Sequence, residues 1–412
     1  MVFFPFTFRV NGFTAKIGVS RQTCKGWRIF LCPFRIRGTK GADMGEFAYF
    51  CNMEQHIELQ EQYLRDATDL LRRLIATPSV SRSESQAATI MEATIRSYGF
   101  ETHREANNVW AVDPLYDPAR PTFLLNAHLD TVKPVATWTR DPYAPTLEDG
   151  TLYGLGSNDC GGGLVTLLQV FRHFCRERAE RPRGFNLVYL ASAEEEVSGR
   201  DGICRALPLL PHVDTAIVGE PTGMQPAIAE KGLMVLDLVA HGKSGHAARD
   251  EGQNAIYEAL DDMQWIRDYR FDRVSPLLGP VKMTLTVVNA GTQHNVVPDR
   301  CTMLVDVRPN ELYTNEEIYD IVCRNVRSEV RAHSFRLHAS HIDEGHPLVQ
   351  RCLQLGLKPF GSPTLSDQAL MPFPSLKLGP GESARSHSAD EFIRIDELAH
   401  ALDLYLSLLG GL

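Results

Sequence analysis

The chain lacks most of what would mark a secreted, membrane-spanning or nucleic-acid-binding protein. It has nine cysteines in 412 residues, but no C-x-x-C pair. An odd, scattered set of this kind reads as reduced thiols in a cytoplasmic protein rather than a disulfide framework. No uncharged run is long enough to cross a bilayer, so no membrane partner is expected. A basic surplus is absent as well: the net charge is −9, which argues against nucleic acid. Familiar motifs are missing or broken. There is no H-E-x-x-H. The run "GLGSND" (154–159) lacks the third glycine of a dinucleotide fingerprint, and "GKS" (242–244) has Asp237 where a phosphate loop requires glycine.

What is present is an ordinary globular composition, 43% hydrophobic and 23% charged, long enough for two domains. Charge is unevenly spread. Residues 1–52 carry eight Lys or Arg against two acids, a surplus of six, so residues 53–412 carry −15. The first segment is aromatic, basic and without clear periodicity. Its charge follows its apolar stretch and Pro5 interrupts it, which makes a poor secretory signal. It is expected to be a leader outside the fold, such as translation from upstream of a start at Met53.

From Met53 the pattern becomes regular. Amphipathic spacing predicts helices over 54–76 and Ser85–Tyr98. The runs "TFLLNAHLD" (122–130), "FNLVYLASA" (185–193) and "DTAIVGEP" (214–221) read as buried strands, and "GGGLVTLLQVFRHFCRER" (161–178) as a helix opened by glycines. Near-continuous apolar strands alternating with helices imply an α/β fold with a mostly parallel sheet covered on both faces. Between 231 and 342 the order becomes β-α-β-β-α-β, the ferredoxin-like split unit. Its second helix is expected over "TNEEIYDIVCRNVRSEVRAH" (314–333) and its last strand over "SFRLHASHI" (334–342). The expected organisation is a catalytic domain in two pieces, 53–230 and 343–412, with an inserted α+β domain at 231–342.

In open α/β sheets ligands gather outside the carboxyl ends of the strands. Those ends supply His128 and Asp130, then Asp159 in the Gly-rich loop, Glu194, Glu195 and Glu196 in a row, Glu220 before Pro221, and His387 from a late loop. None supplies a Lys or Arg to neutralise the acids. Each residue alone has a bland explanation, a core histidine, a turn aspartate or a solvated glutamate. Several acidic or imidazole ends meeting on one rim require cations. Nitrogen and carboxylate donors without thiolates suit zinc or a similar divalent ion. Cys160 is read as packing.

Six stretches, "AHLDTV", "YGLGSNDCGGG", "EEEVSG", "GEPT", "GKSGHAA" and "SHSADEF", stand in this order. Together they resemble the di-zinc metallopeptidase and deacylase family that includes acetylornithine deacetylase, succinyl-diaminopimelate desuccinylase and carboxypeptidase G. The resemblance runs over residues 55–412. The phrases "AEKGLMVLDLVAHGKSGHAARDEGQNAIYEAL", "NAGTQHNVVPDRC" and "FGSPTLSDQALM" are most similar to the acetylornithine (or succinylornithine) deacetylase branch. The resemblance implies a catalytic domain of zinc-exopeptidase type. It implies two divalent ions, zinc or alternatively cobalt: one held by His128, Asp159 and Glu220, the other by Asp159, Glu196 and His387. It also implies Asp130 as the acid that orients His128, and Glu195 as general base toward a metal-activated water. Glu194 takes no catalytic part. His246 would reach the oxyanion of a partner subunit in a homodimer joined through the inserted domain, and Arg308 and Asn295 would contact a substrate carboxylate. The implied reaction is removal of an acetyl or succinyl group from the α-nitrogen of ornithine in arginine biosynthesis. A dipeptidase or carboxypeptidase of the same family is the alternative, and a non-catalytic binding protein the remote one. One departure stands out. Where the family reads Asp-Met-Lys-Gly-Gly, this chain reads Asp159-Cys160-Gly161-Gly162-Gly163, so a looser helix start is expected. The resemblance further implies a cis peptide at Asp159–Cys160.

Overall fold

The computed structural model describes residues 58–176 and 183–412 with their side chains, and 3–10, 13–21, 27–29, 44–57 and 177 as backbone. Two compact units result, Met1–Glu58 and Leu59–Leu412. In the first, the segment read as a leader contains antiparallel strands Phe3–Val10, Phe13–Arg21 and Trp27–Ile29. Its last residues, 44–52, are helical, and the remainder of the segment lies outside the described residues. The helix expected to begin at 54 runs Met44–Ile75.

The second unit is built on a nine-stranded mixed sheet. Its centre is parallel, as the apolar runs predict: Ser375–Lys377, Thr215–Val218, Thr122–His128 and Asn186–Ser192 lie side by side in that order. Antiparallel pairing enters at both margins. Asn108–Val112 pairs antiparallel with Asn186–Ser192 and carries His103–Glu105 outside it. At the other margin Ala227–Glu230 pairs antiparallel with Ser375–Lys377 and Ser340–His341 and parallel with Phe360–Ser362. All seven residues of Thr122–His128 and of Asn186–Ser192 are buried. Their side chains divide by parity, as the pleat requires. Phe123, Leu125, Ala127, Leu187, Tyr189 and Ala191 join one apolar core with the helices Ser85–Ser97, Gly162–Glu177 and Ile395–Leu409. Leu124, Val188 and Leu190 join a smaller core on the opposite face. Parallel register then brings the carboxyl ends level. His128 stands opposite Ser192, and Val218 pairs with Asn126 just before Glu220.

Residues 234–332 form a four-stranded antiparallel sheet in the order Lys282–Ala290, Arg300–Arg308, Met234–His241, Glu329–Ala332. Helices Ala255–Asp268 and Asn315–Asn325 accompany it, and its apolar core is separate from the main one. The β-α-β-β-α-β order is as expected, but its last strand is not. Thr314 opens the second helix with a reciprocal capping box to Glu317. The helix stops at Asn325 because Val326 turns extended (φ −109°, ψ 154°). Half-buried Val330 and Ala332 alternate with exposed Glu329 and Arg331, a strand period too short to stand out inside a helix-like run. Of "SFRLHASHI", Ser340–His341 is strand, and it joins the large sheet instead. Among the described residues no helix is long and apolar enough to cross a membrane.

Candidate metal centre

Five of the predicted side chains meet at the carboxyl rim of the parallel strands. His128 closes its strand with its ring 1% exposed. Its Nε2 lies 3.2 Å from Asp159 Oδ1 and 3.5 Å from Glu220 Oε1. The other oxygen of Asp159, Oδ2, lies 3.6 Å from His387 Nε2, which in turn is 2.8 Å from Glu196 Oε2. One aspartate thus divides its two oxygens between two histidines, each backed by its own glutamate. Tetrahedral zinc with bonds of about 2.0–2.1 Å spaces its donors roughly 3.3 Å apart. The separations around His128 match that spacing, and Glu220 Oε1 is buried without a hydrogen-bond partner. The donor set therefore fits two divalent ions sharing Asp159.

Local structure explains how each donor arrives. The Asp159–Cys160 peptide is cis, as the resemblance implies. The glycines after it are enforced by contact. A Cβ on Gly163 would stand 1.7 Å from the carbonyl oxygen of Gly219, and one on Gly161 would stand 2.3 Å from that of Gly156. The backbone has closed over the position where the family carries lysine, and Gly161 N–H donates to Gly156 O at 3.0 Å. The start of this helix is tight rather than loose. Cys160 packs as read: its thiol lies 3.2 Å from the His128 amide nitrogen. Its sulfur also falls within 4.8 Å of donors on His128 and Glu220.

Asp130 acts on the glutamates as much as on the histidine. The His128 Nδ1 lies 2.8 Å from the backbone oxygen of Asp130 but 3.6 Å from its carboxylate. A proton on Nδ1 leaves the Nε2 lone pair facing the cluster. The Asp130 carboxylate instead accepts from Glu195 N at 3.0 Å, Glu196 N at 3.3 Å and the Ser81 hydroxyl at 2.7 Å, which fixes the turn carrying both glutamates. Glu194 sits in the left-handed region (φ 52°) and faces away to Arg82 at 3.9 Å.

Electrostatics show a cluster short of positive charge. Burial, then the charge of Asp159, pushes Glu220 up to about 8. Burial chiefly, reinforced by Glu220 and other acids, holds Glu195 well above the usual carboxylate range. The hydrogen bond to Glu196 raises His387 to about 9. A cation at the rim would stabilise the ionised carboxylates and displace these protons.

A cleft of about 500 Å³ opens from the cluster. Asp159, Glu195, Glu196, Glu220 and His387 line its floor, and Phe360, Thr364, Lys377 and Glu382 its walls. His246, Asn295 and Arg308 do not line it. His246 lies in the short strand Gly245–His246, beside Asn295, whose carbonyl accepts from Ala247 N–H; both are exposed. The Arg308 guanidinium is gripped by Asp306 at 2.8 and 2.9 Å. The sequence reading missed two buried groups. Lys377 is tied to Glu230 at 3.1 Å and to Thr364 beneath the cleft wall. Glu391, four residues past His387, accepts backbone N–H groups from the Asp159 loop. Glu391 stood in view inside "SHSADEF"; Lys377 carried no local signal.

Sheet, donor cluster and cleft define a metal-dependent amide hydrolase of zinc-exopeptidase architecture. The profile of the peptidase family M20/M25/M40 matches residues 124–410. An acetylornithine deacetylase from Proteus mirabilis (strain HI4320) is 28% identical over 356 residues, 79% of this chain and 91% of the relative. A succinyl-diaminopimelate desuccinylase from Stenotrophomonas maltophilia (strain K279a) is 25% identical over 374 residues, 84% and 98% of the two chains. Among solved structures, a dinuclear metal-binding peptidase of family M20 from Bacillus subtilis superposes with a TM-score of 0.65 at 17% identity, covering 85% of this chain and 98% of its own. The chain belongs to the peptidase family M20/M25/M40.

Proposed function

We propose that this protein removes the acetyl or succinyl group from the α-nitrogen of ornithine, as a step of arginine biosynthesis in the cytoplasm. The observation that carries the hydrolase is Asp159, whose two oxygens face His128 and His387 separately. In this reading His128, Asp159 and Glu220 hold one divalent ion, and Asp159, Glu196 and His387 the other; zinc or cobalt suits both sets. The ions supply Lewis acidity toward water and the scissile carbonyl. Glu195 takes the proton of the attacking water and delivers it to the leaving nitrogen. Its Oε2 lies 3.9 Å from His128 Nε2, beside the donors without being one of the closest pair. Asp130 holds the Glu195 turn in place.

The substrate assignment is supported by the branch-specific phrases and by the deacetylase relatives. The assay is hydrolysis of N-acetyl- and N-succinyl-ornithine by protein stripped with chelator and reloaded with zinc or cobalt. Metal-dependent release of ornithine is expected. A protein inactive on both but active on a dipeptide panel would be a peptidase of the same site.

A homodimer is part of the proposal. Among the described residues strand Lys282–Ala290 has a partner strand on one side alone, with Val287 and Val288 exposed, and Tyr257 and Leu260 are exposed on the helix Ala255–Asp268 of the same module. An apolar edge of this kind invites pairing across a two-fold axis. It would set His246 toward the partner's cleft, with Arg308 and Asn295 for the substrate carboxylate once Arg308 leaves Asp306. A monomeric mass in solution at micromolar concentration would remove the dimer and the role of His246 with it.

A further inference from the structure

We infer that Glu391 is a positioning residue that sets the donor geometry of the Asp159–Glu196–His387 half of the centre. The inference rests on the metal-centre reading above and adds a residue to it. Glu391 is 2% exposed. Its Oε1 accepts from Asn158 N at 2.8 Å and from Asp159 N at 2.9 Å, and its Oε2 from Gly156 N at 3.2 Å. Its own backbone oxygen accepts from Gly154 N at 2.9 Å. One buried carboxylate therefore fixes the amide of the bridging aspartate and two of the three residues before it.

The tie runs both ways. The Asn158 side chain accepts from Glu382 N at 3.0 Å and donates to Glu382 O at 3.1 Å. The loop bearing His387 is thus fastened to the loop bearing Asp159 on both sides of the histidine, at residues 382 and 391. Between those points His387 itself lies in the left-handed region (φ 58°), with its side chain 54% exposed. His387 has no comparable wall to hold it, whereas His128 is locked within a buried strand end. The distance from Asp159 to His387 depends on the staple; the distance from Asp159 to His128 depends on the sheet. Loss of the staple should therefore weaken one ion and spare the other.

A carboxylate is needed for the geometry. Glutamine would keep one carbonyl oxygen for Asn158 and Asp159 but turn an amide donor toward the Gly156 N–H. Aspartate keeps both acceptors on a shorter stem. Outer partners of this kind are worth about 10–100-fold in metal affinity.

The experiment is a zinc competition titration against a chromophoric chelator on full-length wild type, Glu391→Gln and Glu391→Asp. Thermal unfolding of the stripped proteins is followed in parallel, and cobalt absorption reports the geometry of each half-site. Glu391→Gln should bind one ion at least about tenfold more weakly and the other unchanged, with an altered cobalt spectrum. Its metal-free melting temperature should stay within a few degrees of wild type, and excess metal should restore turnover. Glu391→Asp should fall between the two. Two tight ions in both variants would overturn the inference. So would equal weakening of both ions with a matching loss of metal-free stability, which is the signature of a merely structural residue. A wild type that takes up no ion would remove the metal centre itself, a result distinct from either.

Discussion

Glu194, Glu195 and Glu196 are chemically identical side chains with three different surroundings. Glu196 meets His387 at 2.8 Å, half-buried Glu195 lines the cleft, and buried Glu194 turns toward Arg82. The difference comes from a short helical turn, Glu195–Val197, flanked by left-handed Glu194 and Ser198 and pinned by the Asp130 carboxylate. In the proposed reading Glu195 is the general base, which must reach the water without being consumed as a ligand, and this turn would allow that. Glu195→Gln should therefore retain both ions by elemental analysis while turnover drops by at least about a hundredfold. An unchanged rate in the metal-loaded variant would show that another group moves the proton. Asp130 offers the same lesson from the other side. The expected partner of its carboxylate is the imidazole, but at hydrogen-bond distance the carboxylate holds the glutamate turn and the backbone oxygen takes the imidazole.

Among elements, the helix Gly162–Glu177 matters most to the site, because its first turn lies directly against the strand end before Glu220. Backbone meets backbone there, and a methyl group has no room. Gly163→Ala should cost about 3 kcal/mol or more, read as a lower denaturation midpoint. Gly184→Ala, at a position with nothing within 4 Å, should stay within about 0.5 kcal/mol. Equal midpoints for the two would mean that the helix start can shift, contrary to the close approach seen. The element that sequence periodicity placed wrongly, the last strand of the small sheet, failed for a related reason. Four residues of alternation cannot outweigh a helical run until a neighbouring strand, Met234–His241, supplies the pairing.

Across the whole molecule, folding brings together acids that stand apart and solvated in the open chain. Burial raises Asp367 and Glu391 to about 7 and Glu220 to about 8, and the bond to Glu196 raises His387 to about 9. All four hold protons more tightly folded than unfolded. The sign follows: between their ordinary values and these raised ones the folded state carries more protons, so metal-free stability falls as pH rises. The melting temperature of chelator-treated protein should decline from about pH 5 to pH 9. Added zinc should stabilise it most at the alkaline end, where it competes with the fewest protons. A metal-free protein that grows steadily more stable over that range would contradict the electrostatic picture of the cluster.

Local pattern sufficed for the class of fold, the parallel centre of the sheet and a set of candidate ligands at the run ends, His128, Asp130, Asp159, Glu194, Glu195, Glu196, Glu220 and His387, from which the family resemblance selected five. Those features are written in local patterns: apolar runs of strand length, glycines before a helix, and acids or imidazoles at run ends without a compensating cation. Tertiary structure alone decided which oxygen of Asp159 faces which histidine, what the Asp130 carboxylate holds, and that Glu391 and Lys377 belong to the site. Those relations join residues distant in the chain, 65 positions apart for Asp130 and Glu195 and 232 for Asp159 and Glu391. Their energies come from burial and from hydrogen bonds that exist once the sheet has brought the loops together. No local spacing encodes them.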